Sequence, residues 1–219
     1  MLSSCENHLC NENVTNCLQA LAYGKKIIDA NDIQKSPHFR LDAVSLLCKR
    51  ETLSADAVVP VPHAGVFLAA CWDEQRADEV LWPALGLKKF GTSMYNVPND
   101  ENKRVCHARL KTYKKIEGYV PKKVFLIDEG ILSGISMITA IETLRNNGVK
   151  EIYARTILPP FVNSCPYSCV KYIPTVNNVD NIAKFLGADD YAYLSVEDLM
   201  DIGKGTHGKD ANLCHECLR

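Results

Sequence analysis

The sequence predicts an α/β fold with a central parallel sheet flanked by helices, and three observations carry that expectation. Residues 122–128, Lys-Lys-Val-Phe-Leu-Ile-Asp, contain four consecutive apolar side chains, which suits a strand buried on both faces, as in a parallel sheet. A small-residue loop, a helical stripe and a second apolar run at residues 151–158 follow, the order of a βαβ unit with a right-handed crossover. Another strand–loop–helix unit precedes them at residues 56–70.

Taken along the chain, residues 1–16 are polar and Asn-rich and read as a flexible N-terminal arm, leaving residues 17–219 as one domain. That length can bury a real core without covalent staples. Phe39, Ala43, Val44, Leu46 and Leu47 form a helical stripe, with Ser36-Pro37 as the helix entry. Asp56-Ala-Val-Val-Pro-Val-Pro62 is a short buried strand running into a turn, and Val66, Phe67, Ala69 and Ala70 continue as an apolar helix. A weak strand lies near residues 81–87, and residues 88–105 form a polar loop of the length used for lids. Ile135, Ile138, Ile141 and Leu144 share one helical stripe that Gly148 closes. Pro159-Pro160 stops the strand before it. Val179, Ile182, Ala183 and Leu186 mark a helix ended by Gly187, and residues 191–194 a short strand. Ser195-Val-Glu-Asp198 then opens the last helix with a capping-box pattern.

Composition narrows the function. Lys and Arg total 25 against 26 for Asp and Glu, so no basic excess points to nucleic acid. No apolar run approaches the ~18 residues of a membrane span. The start of the chain has no basic segment leading into an apolar one, so no secretory signal is read there and a cytoplasmic protein is expected. Ten cysteines are below the density of a disulfide scaffold. Cys48, Cys71 and Cys106 read as small buried hydrophobes, and Cys5 and Cys10 belong to the arm. Cys214-x-x-Cys217 and Cys165-x-x-x-Cys169 have metal-ligand spacing that suits zinc or an iron–sulfur cluster; spacing alone leaves both open.

The segment at residues 124–136 carries the chemistry. Ligands of open α/β sheets sit at the carboxyl ends of strands. Here that end bears Asp128 and Glu129, then Gly130, Ser133, Gly134, Ile135 and Ser136, then a helix N-terminus. Amides and hydroxyls of such a loop favour a phosphate, and the two acids can hold ribose hydroxyls or a magnesium ion. The alternative is a capped helix after a strand whose terminal acids are solvated.

That segment resembles the phosphoribosyl pyrophosphate (PRPP) motif of type I phosphoribosyltransferases. From about Cys17 to Cys217 the chain is similar to the phosphoribosyltransferase domain of the amidophosphoribosyltransferase family, without the glutaminase domain. The resemblance rests on Val58-Val-Pro-Val-Pro-His-Ala-Gly65, on residues 124–136, on Leu158-Pro-Pro-Phe-Val-Asn-Ser-Cys165, on Gly187-Ala-Asp-Asp with Tyr193-Leu-Ser-Val-Glu197, and on Cys214-His-Glu-Cys217. It implies a type I phosphoribosyltransferase fold. It implies that Pro62, His63, Ala64 and Gly65 lie against the pyrophosphate of PRPP. Asp128 and Glu129 would bind the ribose, and Gly130 with Ser133 to Ser136 the 5-phosphate. Asp128, Glu129 and His63 become the catalytic candidates, with magnesium as cofactor; His63 equally suits a turn histidine capping a helix.

The same resemblance implies a 4Fe–4S cluster on Cys17, Cys165, Cys214 and Cys217, joining the N- and C-terminal segments at one point. The implied reaction transfers phosphoribosyl to ammonia or another small amine with loss of pyrophosphate. A separate protein would donate the ammonia, and the chain would self-associate as a homo-oligomer. Three departures stand out. His63-Ala64 replaces a family Asp-Ser, Asp128-Glu129 replaces two aspartates, and the basic residues of the family's flexible loop reduce to Lys88 and Lys89. The second keeps both acids; the first and third favour an alternative, a catalytically inactive PRPP or nucleotide sensor, and an iron–sulfur protein acting through a partner is a further one.

Overall fold

The computed structural model describes residues 16–23, 31–62, 65–76, 79–82, 85, 118–163 and 181–218. Most of the arm, the polar loop at 88–105, and Cys5, Cys10, His63, Ala64, Cys106, Cys165 and Cys169 lie outside them.

Five parallel strands form the central sheet in the order β3-β2-β4-β5-β6. They are β2 (Ala57–Pro60), β3 (Val80–Leu81), β4 (Lys123–Asp128), β5 (Glu151–Thr156) and β6 (Asp190–Tyr193). All residues of β2 are buried, as are those of β4 after Lys123, so these strands lack polar alternation because both sheet faces are covered. One face packs on α1 (Leu18–Tyr23), α2 (Asn31–Arg50), α3 (Gly65–Asp73) and α6 (Val196–His207), through Leu21, Phe39, Leu68, Trp72, Phe125, Ile127 and Leu199. The other packs on α4 (Ile135–Asn146) and α5 (Ile182–Leu186), through Val124, Leu126, Met137, Ile141, Ile152 and Leu186. Alternate residues of β4 thus feed two separate cores.

A second, two-stranded sheet pairs β1 (Asn16–Cys17) with β7 (Leu213–Cys214) in parallel, followed by a 3-10 turn at Glu216–Leu218. The terminal segments are therefore joined by backbone pairing. The sequence showed the cysteines at both places but neither strand, since two residues carry no periodicity.

Several elements match the sequence expectations. Ser195 caps α6 through a reciprocal box with Asp198, and Gly187 in the left-handed conformation ends α5. Cys48 and Cys71 are buried. Other elements differ. Pro37 is not the helix entry: α2 begins six residues earlier, at Asn31, and takes the proline inside it. Proline removes one ladder hydrogen bond, but the helix is held by its buried face at Phe39, Ala43, Val44 and Leu47. Ser36 caps nothing; its hydroxyl donates to the Leu21 carbonyl at 2.7 Å and ties α2 to α1. On α3, Val66 and Phe67 face outward, and Leu68, Ala69, Cys71 and Trp72 form the buried stripe. Of the strand expected at 81–87, the described residues show Val80–Leu81 as strand and Trp82 and Leu85 outside it; residues 83–84 and 86–87 lie outside the described residues.

Candidate functional site

The chain leaves β2 through α3 towards β3 and leaves β4 through α4 towards β5, in opposite directions across the sheet. The carboxyl ends of β2 and β4 therefore flank a topological switch point, where open α/β sheets open a crevice for ligands. Both loops singled out in the sequence begin there.

The first loop is held by hydrogen bonds from Val61 N–H to the Ile127 carbonyl and from Gly65 N–H to the Val61 carbonyl, each 2.9 Å. Val61 is buried and Pro62 half-buried. Gly65 is required by close approach: a Cβ there would lie 2.1 Å from the Ile127 carbonyl oxygen and 3.5 Å from Asp128 Cα. The first turn of α3 thus rests directly on the end of β4. His63 and Ala64, predicted here, lie outside the described residues.

The second loop follows β4. Asp128 Oδ1 accepts the Glu129 N–H at 2.9 Å. Glu129 is almost wholly buried, and its Oε1 accepts from Arg40 Nη2 at 3.0 Å. Burial, then the adjacent Asp128 charge, push the Glu129 carboxyl well above the usual carboxylate range, and Arg40 opposes them. The Glu129 carbonyl accepts the Leu158 N–H at 2.8 Å. Gly130 packs so closely on Leu158 and Phe161 that a Cβ would meet them at 3.0–3.3 Å. Gly134 takes the left-handed conformation (φ 76°) and caps α4 without a side-chain hydrogen bond. Ser133 Oγ accepts from the Ile135 N–H at 3.4 Å. Ser133, Ile135 and Ser136 are half-buried at the start of α4. This arrangement suits an anion at the helix start with a polar pentose beside Asp128.

Thr156 completes the row. It pairs with Asp128 across β4–β5 and with Tyr193 across β5–β6. Its hydroxyl donates to the Leu158 carbonyl and meets the Tyr191 hydroxyl, both at 2.8 Å. Neither Arg40 nor Thr156 was singled out in the sequence; each is a lone polar residue in an ordinary helix or strand pattern.

The cysteines behave differently from the two loops. Cys17 and Cys214 face each other across β1–β7 and, with Ala20, form a small buried cluster. A hydrogen bond from the Cys17 thiol lowers Cys214 to about 6, against the opposing effect of burial. Cys217, three residues after Cys214, is also buried, its thiol 3.9 Å from Gln19 Oε1. Val162 and Asn163 both donate backbone N–H groups to the Cys217 carbonyl, at 3.1 and 3.3 Å. The chain entering Cys165, itself outside the described residues, is thereby tied to the C-terminal turn. Among the described residues no three His, Cys, Asp or Glu side chains are grouped to hold a metal ion by themselves. The donors present are buried and soft, which fits a thiolate-held group and not an oxygen-bound cation.

No family model matches the chain. An amidophosphoribosyltransferase of Methanothermobacter thermautotrophicus is 28% identical over 202 residues, spanning 88% of this chain and 40% of that protein. Amidophosphoribosyltransferase 1, chloroplastic, of Arabidopsis thaliana is 33% identical over 180 residues, spanning 79% of this chain and 31% of that protein. The chain therefore spans less than half the length of these relatives. The solved glutamine PRPP amidotransferase from B. subtilis, complexed with ADP and GMP, matches 94% of this chain and 46% of its own with a TM-score of 0.72 at 19% identity. The likeness expected from the sequence is borne out: the chain is similar to the amidophosphoribosyltransferases over part of their length, and it shares the fold of that solved structure. No helix among the described residues is long and apolar enough to cross a membrane.

Proposed function

We propose that this chain is a cytoplasmic phosphoribosyltransferase domain that binds PRPP with magnesium and transfers the phosphoribosyl group to ammonia or another small amine. The observation that carries the reading is the pair of loops at the β2–β4 switch point, one resting on the other through Gly65 and Ile127. In this reading Pro62, His63, Ala64 and Gly65 border the pyrophosphate. The acid pair Asp128–Glu129 receives the ribose hydroxyls, and His63 is a further catalytic candidate. Gly130, Ser133, Gly134, Ile135 and Ser136 enclose the 5-phosphate. The bond between the anomeric carbon and the pyrophosphate oxygen breaks, an amine nitrogen bonds to that carbon, and the nitrogen gives up a proton as it becomes neutral. Magnesium supplies charge neutralisation on the leaving diphosphate. The chain's own work is positioning: the 5-phosphate is held at the α4 start and the pentose over Asp128, which aligns the anomeric carbon with the first loop.

Cys17, Cys165, Cys214 and Cys217 are proposed as the ligands of a structural 4Fe–4S cluster, which would add covalent linkage to the β1–β7 pairing. Buried Cys17 and Cys214 in contact, and the backbone tie from Val162 and Asn163 to Cys217, support this. A homo-oligomer and a separate ammonia-donating protein complete the proposal.

Incubation with magnesium, PRPP and a panel of amines including ammonia is expected to release pyrophosphate. His63-Ala64, standing where the family has Asp-Ser, favours a second reading in which the domain senses PRPP or a nucleotide for a partner without turnover. Tight magnesium-dependent PRPP binding with no pyrophosphate from any amine would select it. Loss of both binding and turnover would reject both readings.

A further inference from the structure

The acid pair is divided between the two faces of the sheet. Val124 and Leu126 point into the core beneath α4, and Phe125 and Ile127 into the core beneath α2 and α3. Asp128, the last residue of β4, continues the first series; Glu129, just past the strand, is reached from the α2 side by Arg40. Glu129 is only 1% exposed, and the guanidinium that reaches it comes from α2, a helix far away in sequence. Arg40 is itself 14% exposed, and its Cζ lies 4.6 Å from the centroid of the Phe67 ring in the first turn of α3. One side chain therefore touches both the residue that ends the β4 acid pair and the helix that follows the β2 loop. Tyr23 of α1 adds a hydroxyl 3.4 Å from the Gly130 carbonyl. The charged and titratable groups gathered here are Asp128, Glu129, Arg40, Tyr23 and Cys71 of α3.

Resting on the PRPP reading above, we propose that Arg40 is a positioning residue that anchors Glu129 and keeps the two loops in register, so that the acid pair meets the pentose in one set orientation. A carboxylate with so little exposure needs a counter-charge to remain in place. A guanidinium supplies that charge and a flat face to lie over Phe67, which an ammonium does not. Both acids are buried, Asp128 at 9% and Glu129 at 1%, and it is the more deeply buried one that the Arg40 guanidinium holds.

The test combines calorimetric titration with magnesium-PRPP and thermal melts without ligand. Both are run on the full chain and on Arg40→Met, Arg40→Lys, Glu129→Gln and the Arg40→Met/Glu129→Gln double variant. Arg40→Met is expected to weaken binding about tenfold, the scale of a modest misplacement at a site. Arg40→Lys, keeping the charge, is expected to fall between it and the parent. Because Arg40 acts through Glu129, the double variant should bind no worse than the weaker single variant, and the melts should show the same non-additivity. Arg40→Gln keeps a donor for Glu129 without the charge; it covers the case in which Arg40→Met does not fold, and the same loss is expected from it. Parent-like affinity in the neutral variants, or losses that simply add, overturns the assignment. The melts separate the two possible failures. A parent chain indifferent to magnesium-PRPP overturns the function, whereas additive melts overturn the Arg40–Glu129 link whatever the ligand.

Discussion

Cys17 and Cys214 lie directly opposite one another in the parallel β1–β7 pair, so the beginning and end of the described fold share a buried thiol contact. Cys217 follows within one turn, and its carbonyl receives the two amides that lead towards Cys165. Replacing Cys17 with Ser should therefore remove iron and acid-labile sulfide from anaerobically purified protein and lower its melting temperature, because thiolate–metal bonding makes folding metal-linked. Cys48→Ala, in the α2 core, should keep the full iron content. Equal iron in parent and Cys17→Ser protein, or zinc in place of iron in the parent, would refute the cluster.

Gly65 and Gly205 make opposite demands. A methyl group at Gly65 would enter the Ile127 carbonyl, whereas one at Gly205, within α6, meets nothing within 4 Å. Gly65→Ala should cost about 1–3 kcal/mol by overpacking and weaken magnesium-PRPP binding, since the clash lies between the two loops. Gly205→Ala should stabilise by about 0.5–1 kcal/mol through helix propensity and leave binding unchanged. Urea denaturation and ligand titration of both variants check the pair.

Arg155 is fully buried in β5, where its guanidinium meets Glu51 at 2.5 Å and Asp190 at 2.7 Å and lies 5.3 Å from the Phe125 ring centroid. Arg155→Met would leave Glu51, 5% exposed, without its counter-ion. A loss of about 3–5 kcal/mol in urea denaturation is expected, the cost of stranding one member of a buried pair. Glu51→Gln with Arg155→Met should recover part of that loss.

Asp198 receives both terminal nitrogens of Arg50, at 2.6 and 2.7 Å, and closes the capping box with Ser195. The Arg50 hydrogen bonds come first among the causes that hold its carboxyl at about 2. Because the folded value is depressed, this contribution to stability is fully present above the unfolded value of about 4. It is lost as pH falls through about 2. The stability gap between parent and Asp198→Asn should thus be constant at neutral pH and close between about pH 4 and pH 2. Ser195→Ala, removing the cap, should cost about 1 kcal/mol at neutral pH.

Much of this protein is legible residue by residue. Val124 to Ile127 announce a doubly covered strand because only a parallel sheet between helix layers leaves no polar position in such a run. Ser195 and Asp198 announce a helix start, and Gly187 a helix stop, because capping is satisfied within one turn. The two small-residue loops after apolar strands were visible for the same reason: anion-binding loops are built from contiguous residues.

The sequence by itself determined the central strands β2, β4, β5 and β6, the ends of α5 and α6 at Gly187 and Ser195, and the contiguous loops, all set by interactions a few residues long. Tertiary structure alone decided that Val66 and Phe67 face outward, that Pro37 sits inside a helix, and that Arg40 reaches Glu129. It also set Cys17 against Cys214. Each of these depends on which distant surface arrives at a given face, and burial energy outweighs local preference once it does. A buried carboxylate takes whatever cation the packing delivers, and no spacing in the chain records which one that is.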